Sequence, residues 1–181
     1  MQTTKPNSAG DRIQRISLFV DGANFFYMQR DRLRWWIDPK KLLEYVRTKG
    51  ELVDALYYVG VDIAPEARQE AYLKALTYMG YSLVTKTLKN TVQEDGTLIQ
   101  KANLDIEIVL DMFNTIDHYD MAVLVSGDGD FERPLQLLRA RGKRFLVMST
   151  HGFAAKELRD VAGMHFIDFQ DIRKYVEKGT G

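Results

Sequence analysis

Short apolar runs alternate along the chain with segments in which apolar residues recur every three or four positions. Runs of about four to eight apolar residues are typical of buried parallel strands, and the wider spacing is typical of amphipathic helices. The runs predict strands at 16–20, 52–59, 81–86, 121–125 and 143–148, and an edge strand at 165–167. The wider spacing predicts helices between 38 and 50 and at 64–78, 103–116, 131–140, 153–160 and 170–177.

This alternation predicts an α/β fold, a three-layer α/β/α sandwich with a mostly parallel sheet. Between the third strand and the helix at 103–116, Glu94-Asp95-Gly96 is a hairpin-turn signal, so a small hairpin is expected within 87–100. Residues 1–14 are polar and rich in turn-forming residues, which indicates a flexible N-terminal tail. Residues 15–178 are expected to form a single domain.

The amino-acid composition limits the possible chemistry of the protein more than it limits the possible folds. The chain has 25 Lys plus Arg and 25 Asp plus Glu, so bulk charge gives no argument for nucleic-acid binding, which would need a local patch. It has no cysteine, which excludes disulfides, thiolate catalysis and cysteine-ligated zinc. We find no signal peptide and no long apolar run, and therefore expect a cytoplasmic protein with no membrane partner.

Aspartates follow two of the predicted strands. Asp21 ends the first strand and precedes Gly22, and Ser126-Gly-Asp128-Gly-Asp130 follows the fourth. Because ligands bind beyond the carboxyl ends of strands in open α/β sheets, both positions are candidates for a site. The same residue types also make turns and helix N-caps, and this alternative stays open. Two acids in one tight loop repel each other, and a divalent cation would relieve that repulsion.

A third acid is expected on a helix. Asp105 shares one face of the helix predicted at 103–116 with apolar residues only, at positions 108, 109, 112 and 116. A charged group on a core-facing stripe is costly unless it is paired or binds a metal, and a salt bridge to Lys101 is the alternative. Glu107 and Asp111 project from other faces and are expected to face solvent.

Three separate segments thus each present carboxylates, and a cluster of acids can hold one or two divalent ions. Such ions activate water and stabilise charge on a cleaved phosphodiester, so the protein needs no nucleophilic side chain. The residues alone therefore favour metal-dependent hydrolysis. A phosphatase of the haloacid-dehalogenase type is disfavoured, because a single acid, Asp21, follows the first strand where that class has an Asp-x-Asp pair.

Three motifs, in their order and spacing, resemble those of NYN domains, specifically the LabA-like branch of the PIN-like nuclease superfamily. They are Phe-Val-Asp21-Gly-Ala-Asn24, Lys101-Ala-Asn-Leu-Asp105 and Leu-Val-Ser126-Gly-Asp128-Gly-Asp130-Phe131. The resemblance implies a PIN-like fold and RNA cleavage that depends on Mg²⁺ or Mn²⁺. It also implies a set of site residues: Asp21, Asp105, Asp128 and Asp130 as catalytic metal ligands, with Asn24, Ser126 and Lys101 in support.

Basic residues that could contact RNA lie in two segments. Arginines surround two tryptophans at 30–36, and arginine neutralises phosphates while aromatic faces stack unpaired bases. Lysines flank the predicted hairpin, where they could reach a phosphate backbone. The alternatives are a solvated helix end anchored by buried tryptophans and lysines that protect a sheet edge. The candidates are Arg30, Arg32, Arg34, Lys86 and Lys89.

The sequence therefore predicts a metal-dependent ribonuclease whose partner is RNA. The alternative is an RNA-binding or protein-interaction module that keeps the acidic pocket but has little or no turnover. Zero net charge favours that alternative slightly over an indiscriminate nuclease. A homodimer formed through exposed aromatic residues is compatible with either function.

Overall fold

A central sheet with helices on both faces forms the fold. The computed structural model describes the backbone of residues 13–179 and the side chains of residues 13–98 and 102–179, so the tail expected at 1–14 lies almost wholly outside the described residues. The strands are β1 (Arg15–Asp21), β2 (Glu51–Val61), β3 (Ser82–Thr87), β4 (Lys89–Val92), β5 (Leu98–Lys101), β6 (Met121–Val125), β7 (Arg144–Ser149) and β8 (Phe166–Asp168).

Seven α-helices are assigned within the described residues. A π-helical segment, Met28–Leu33, continues the first of them, and a 3-10 turn, Gly129–Phe131, precedes the fifth. The helices are α1 (Gly22–Tyr27), α2 (Pro39–Arg47), α3 (Ala67–Met79), α4 (Asp105–Asn114), α5 (Glu132–Ala140), α6 (Lys156–Ala162) and α7 (Arg173–Val176). No helix within 13–179 is long and apolar enough to cross a membrane.

Six of the strands form one sheet in the order β3-β2-β1-β6-β7-β8, and each neighbouring pair is parallel. The chain runs outward from β1 to β3 on one side and then from β6 to β8 on the other. The direction of winding therefore reverses between β1 and β6, the position at which such sheets open a crevice beyond the strand ends. The remaining strands, β4 and β5, pair antiparallel as the expected hairpin.

Two hydrophobic clusters cover the two faces of the sheet. Side chains alternate between faces along a strand, so Leu18 and Val20 of β1 lie in one cluster and Phe19 lies in the other. The first cluster includes buried residues of α1, α2 and α7, together with Leu76 of α3. The second includes buried residues of α4, α5 and α6. The three-layer sandwich predicted from the sequence is confirmed.

The segment that follows β1 is where the structure adds most to the sequence prediction. The sequence offered a helix end near 30–36 only as an alternative, yet α1 and its π-helical continuation occupy Gly22–Leu33 and end at Arg34 with a positive φ of 63°. Consecutive aromatic residues point both into the core and into solvent here, which hides the helical period. A π-helical turn also has a repeat that differs from the 3.6 residues of an α-helix.

Smaller differences concern the ends of elements. β2 continues to Val61, two residues beyond its predicted end, and α6 begins at Lys156 rather than at residue 153. The final helix is confined to Arg173–Val176, although 170–177 was expected. The hairpin turn agrees with the prediction, because Gly96 has a φ of 82° and Asp95 Oδ1 accepts a hydrogen bond from the backbone nitrogen of residue 97 (2.9 Å).

Candidate metal centre

Asp21 and Ser126 meet at the carboxyl edge of the sheet. β1 and β6 pair in register from Ile16 to Val20, which brings Asp21, the last residue of β1, beside Ser126, the residue after β6. Asp21 and Ser126 are buried, with relative exposures of 8% and 1%. The Ser126 hydroxyl donates a hydrogen bond to Asp21 Oδ2 (2.9 Å). Strand pairing therefore places the first candidate acid against the loop that carries two more.

Hydrogen bonds to side chains fix the loop after β6. The backbone nitrogen of Gly127 donates to Asn24 Oδ1 (2.7 Å), which ties the loop to α1. The backbone nitrogen of Asp128 donates to Ser126 Oγ (3.2 Å), and that of Asp130 donates to Asp128 Oδ1 (2.9 Å). Asp128 thus caps the 3-10 turn that follows, so the capping role considered from the sequence is present.

Asp105 is the first residue of α4. Its backbone nitrogen donates a hydrogen bond to Asn103 Oδ1 (2.8 Å), and Ile108 and Met112 on the same helix face are fully buried. The predicted apolar stripe is therefore present, with the half-buried Asp105 at its end. Since α4 packs on the same face of the sheet as Phe19, alternation along β1 directs the Asp21 side chain to that face too.

Three of the four predicted acids form one cluster. Asp105, Asp128 and Asp130 each present a carboxylate oxygen, and these oxygens all lie within 4.8 Å of one another. We call these three residues the acidic cluster. Asp21 is not part of it but lies close enough for repulsion by Asp105 and Asp128 to affect its ionisation. None of the four acids forms a salt bridge with the Lys, Arg or His side chains that the structure describes.

Asp21 and Asp105 are held in an environment that disfavours their charged form. Burial raises the pKa of Asp21 from 3.8 to about 6, and repulsion by Asp105 and Asp128 adds to the rise. Hydrogen bonds from Ser126 and the backbone of Asn24 oppose it. Burial and the charge of Asp128 also raise the pKa of Asp105. A bound cation would reverse these effects.

The donor set fits a hard divalent cation. All three ligands in the acidic cluster are carboxylates, which suit Mg²⁺ and Mn²⁺, whereas zinc sites mostly use histidine or cysteine. Two of the three histidines are engaged elsewhere, since His118 contacts Asp54 and His151 contacts Asp168. A compact group of three negative charges without a basic partner among the described residues is the arrangement that such a cation stabilises.

Two acids on α4 were expected to face solvent, and this expectation is wrong. Glu107 forms a salt bridge with Lys86 (2.6 Å), and Asp111 Oδ2 accepts a hydrogen bond from the hydroxyl of Tyr58 (2.9 Å). Both acids are partly buried because β2 and β3 lie beside this side of α4. Lys86 also donates to the backbone oxygen of Asn103 (3.0 Å), so its ammonium group is held by the protein itself.

The other predicted RNA contacts lie on two exposed segments. Arg30, Arg32 and Arg34 are exposed on or just after the π-helical segment. Arg30 forms a salt bridge with Asp31 (2.6 Å), and Arg32 Nε donates to the backbone oxygen at position 151 (3.3 Å). Lys89 is exposed on β4. The side chain of Lys101 lies outside the described residues, so its predicted supporting role stays a prediction.

Sequence reasoning missed one buried acid at the same edge. Asp168 ends β8 and is 8% exposed. Its carboxylate accepts hydrogen bonds from Thr150 Oγ1 (2.8 Å), from the backbone nitrogens of His151 and Gln170 (2.9 Å each) and from the His151 ring (2.5 Å). The available signal was an acid directly after a strand, as at Asp21. His151 itself is exposed, as expected for a surface histidine.

Comparison with known proteins identifies the family of the chain. The NYN domain matches residues 15–172. The "Low amplitude and bright protein LabA" of Synechococcus elongatus is 44% identical over 171 residues, which cover 92% of this chain and 90% of that protein. A protein of unknown function from Vibrio parahaemolyticus has the same fold, with a TM-score of 0.76 at 24% identity, over 97% of this chain and 99% of its own. The chain therefore belongs to the NYN-domain family of PIN-like proteins, and within that family it is LabA-like.

Proposed function

We propose that this protein is a ribonuclease that hydrolyses RNA phosphodiester bonds with the help of Mg²⁺ or Mn²⁺. The observation that carries the proposal is the acidic cluster, in which Asp105 and the loop of Asp128 and Asp130 converge within 4.8 Å from distant parts of the chain. NYN domains form part of the PIN-like nuclease superfamily, which supports the same assignment.

The acidic cluster would hold the ion, directly or through water, and the charge of nearby Asp21 would add to the attraction. When bound, the ion supplies Lewis-acid chemistry, because it lowers the pKa of water and stabilises charge that develops on the phosphate. The chain's own hydrogen bonds keep the carboxylates in place before any ligand arrives. Ser126 links Asp21 to Asp128, and Asn24 anchors the loop to α1. Such preorganisation lowers the cost of assembling the charged site.

Protons compete with a cation for these carboxylates. Burial raises the pKa of Asp21 to about 6 and raises that of Asp105 as well. Asp105 must be deprotonated to bind the ion, and ionised Asp21 adds a negative charge beside the acidic cluster, so affinity for the ion should increase as the pH rises through about 6. Activity of the metal-loaded protein is therefore expected on the neutral to alkaline side.

The RNA backbone would be held by basic residues around the site. Arg32 and Arg34 are exposed and form no salt bridge with any described residue, so they are the most available cations of the predicted set. Lys89 lies on the exposed hairpin. Arg30 and Lys86 would contribute less, because Asp31 and Glu107 already partner them. Each phosphate contact made by such a side chain adds to the salt dependence of binding.

A cleavage assay with matched variants tests the proposal. Labelled single-stranded RNA is incubated with the parent protein, with the D128N/D130N variant and with D160N, all purified identically, in Mg²⁺, Mn²⁺ or EDTA. Asp160 is exposed and paired with Lys156, so D160N is a control for charge loss outside the site. We expect D128N/D130N to lose activity at least about 100-fold, because metal assistance is worth several kcal/mol and each 1.4 kcal/mol is tenfold.

The assay also separates the alternative function. Equal cleavage by the parent protein and D128N/D130N, or cleavage that persists in EDTA, would contradict the proposal. If the parent binds Mn²⁺ in calorimetry and binds RNA but does not cut it, the protein is instead an RNA-binding module that retains the acidic pocket. D160N is expected to behave like the parent in every measurement.

A further inference from the structure

Three exposed aromatic side chains contact one another beside α1. Phe26 and Tyr27 belong to α1, Trp36 follows the π-helical segment, and their exposures are 45%, 47% and 47%. The Phe26 ring centroid lies 5.5 Å from that of Tyr27 and 5.7 Å from that of Trp36. We call these three residues the aromatic cluster. Contiguous exposed rings on a protein surface mark an interaction site more often than scattered apolar residues do.

The core does not need these rings. The neighbouring Trp35 is 7% exposed, donates its indole N–H to Gln170 Oε1 (3.3 Å) and packs beneath the guanidinium of Arg173. Phe25 is likewise buried and contacts the Phe169 ring. Adjacent residues therefore anchor the segment, and the aromatic cluster remains directed to solvent.

The surroundings of the aromatic cluster are positively charged. The guanidinium carbon of Arg30 lies 4.8 Å from the Tyr27 ring centroid and 5.6 Å from that of Phe26. Arg32 and Arg34 follow in the same segment, and Asp31 is its single acid between residues 26 and 36. Arginine beside exposed rings suits a ligand that combines aromatic faces with negative charge. An apolar face of a second protein copy would match this charge poorly.

A hydrogen bond links α1, which carries two of the rings, to the loop of the acidic cluster. Asn24, on α1, accepts the hydrogen bond from the Gly127 backbone in the loop that carries Asp128. Tyr27 follows Asn24 by three residues, so it lies on the same helix face and about 4.5 Å further along the axis. The helix that carries Phe26 and Tyr27 is therefore joined directly to the loop that carries Asp128 and Asp130.

We propose that the aromatic cluster binds single-stranded RNA by stacking its unpaired bases, while the adjacent arginines contact the backbone. This rests on the proposed ribonuclease function and specifies its substrate as unpaired RNA. Stacking on aromatic side chains is tolerant of sequence, because every base has a π-face. Bases inside a duplex are already stacked on their neighbours, so duplex RNA gains little from these rings.

Binding can be measured without cleavage in the D128N/D130N background. Fluorescein-labelled oligouridylate is titrated with this protein and with versions that add F26A, W36A or both, and anisotropy gives each Kd. We expect about tenfold weaker binding for each ring removed. Y78A removes an exposed ring on α3 and serves as the matched control, with unchanged Kd expected. Thermal melts verify that every variant is folded.

Tryptophan emission gives a second, direct readout. Oligouridylate should quench the emission of a protein that contains Trp36, and the quenching should be lost in W36F, which retains only the buried Trp35. The same RNA annealed to its complement should bind more weakly and should not quench. Together these results would support stacking at this surface.

Several outcomes would overturn the inference. They are an unchanged Kd for F26A/W36A, absence of RNA binding by the D128N/D130N protein, and equal affinity for single-stranded and duplex RNA. Sedimentation that shows a parent dimer and a monomeric F26A/W36A variant with unchanged RNA affinity would assign the surface to self-association instead. The cleavage comparison of the parent with D128N/D130N decides the proposed ribonuclease function separately, so the two failures can be told apart.

Discussion

Replacing Asp21 with asparagine should stabilise the metal-free protein in alkaline solution. The Asp21 carboxylate is buried and lies near the like charges of Asp105 and Asp128, so its ionised form is disfavoured in the folded protein. An asparagine side chain at this position would carry no charge and would still offer one oxygen acceptor to the Ser126 hydroxyl or the Asn24 backbone. The substitution therefore removes a source of repulsion and retains part of the hydrogen bonding.

The size of the effect follows from the pKa shift. The pKa of Asp21 is raised from 3.8 to about 6, and each unit corresponds to about 1.4 kcal/mol, which gives about 3 kcal/mol. Between about pH 4 and pH 6 the folded protein holds a proton that the unfolded chain has released. The free energy of unfolding thus falls as the pH rises through this window. Above this pH window, the free energy of unfolding of the parent is lowered by the full amount, whereas that of D21N is not lowered.

Urea unfolding in EDTA, followed by circular dichroism at several pH values, measures this difference. Near pH 4 the parent protein and D21N should be similarly stable apart from a constant offset due to hydrogen bonding. By pH 8 the difference should have moved in favour of D21N by up to about 3 kcal/mol. D160N, which alters an exposed acid paired with Lys156, is the control for loss of a surface charge and should not become more stable than the parent at pH 8. If the difference in unfolding free energy between the parent and D21N stays constant from pH 4 to pH 8, ionised Asp21 does not destabilise the fold.

Three further substitutions test the packing and the hydrogen bonding around the site. In Gly22→Ala, the new Cβ would lie 2.3 Å from the backbone oxygen of Tyr58, so we expect the free energy of unfolding in urea to fall by about 3 kcal/mol. In Gly129→Ala, the new Cβ would lie 3.2 Å from the Ala155 side chain, and the free energy of unfolding should fall by under about 1 kcal/mol. Asp168→Ala leaves several hydrogen-bond donors without their acceptor, so it should lower the free energy of unfolding by about 3 kcal/mol at pH 7. Burial raises the pKa of Asp168, but the hydrogen bonds to its carboxylate outweigh burial and lower the pKa below its usual value of 3.8. The cost of Asp168→Ala should therefore shrink as the pH falls below about 4. Equal losses for the two glycine variants, or an Asp168→Ala cost that does not depend on pH, would contradict these expectations.

Local patterns predicted the sheet and the position of most acids. Parallel strands buried on both faces read as continuous apolar runs, so β1 and β6 were readily located. Asp21 and the Asp128 loop follow those runs directly, and strand ends face the crevice in this class of fold. The apolar stripe of α4 likewise predicted that Asp105 would lie at the end of a core-facing helix stripe.

Features that depend on distant parts of the chain were not predictable in this way. The roles of Glu107 and Asp111 depend on Lys86 and Tyr58, which come from other strands. Asp168 is held by the turn after β7 because β7 and β8 pair, and no local pattern encodes that pairing. Which of two adjacent tryptophans is buried is decided by the π-helical segment that precedes them.

A Mn²⁺ soak of a crystal of the parent protein, with anomalous diffraction recorded, tests the central claim most directly. We expect an anomalous peak with carboxylate oxygens of Asp105, Asp128 and Asp130 within coordination distance, and loss of that peak in D128N/D130N. An occupied Mn²⁺ position elsewhere with no peak at the acidic cluster would contradict the account. So would a basic side chain that occupies the space between the three carboxylates.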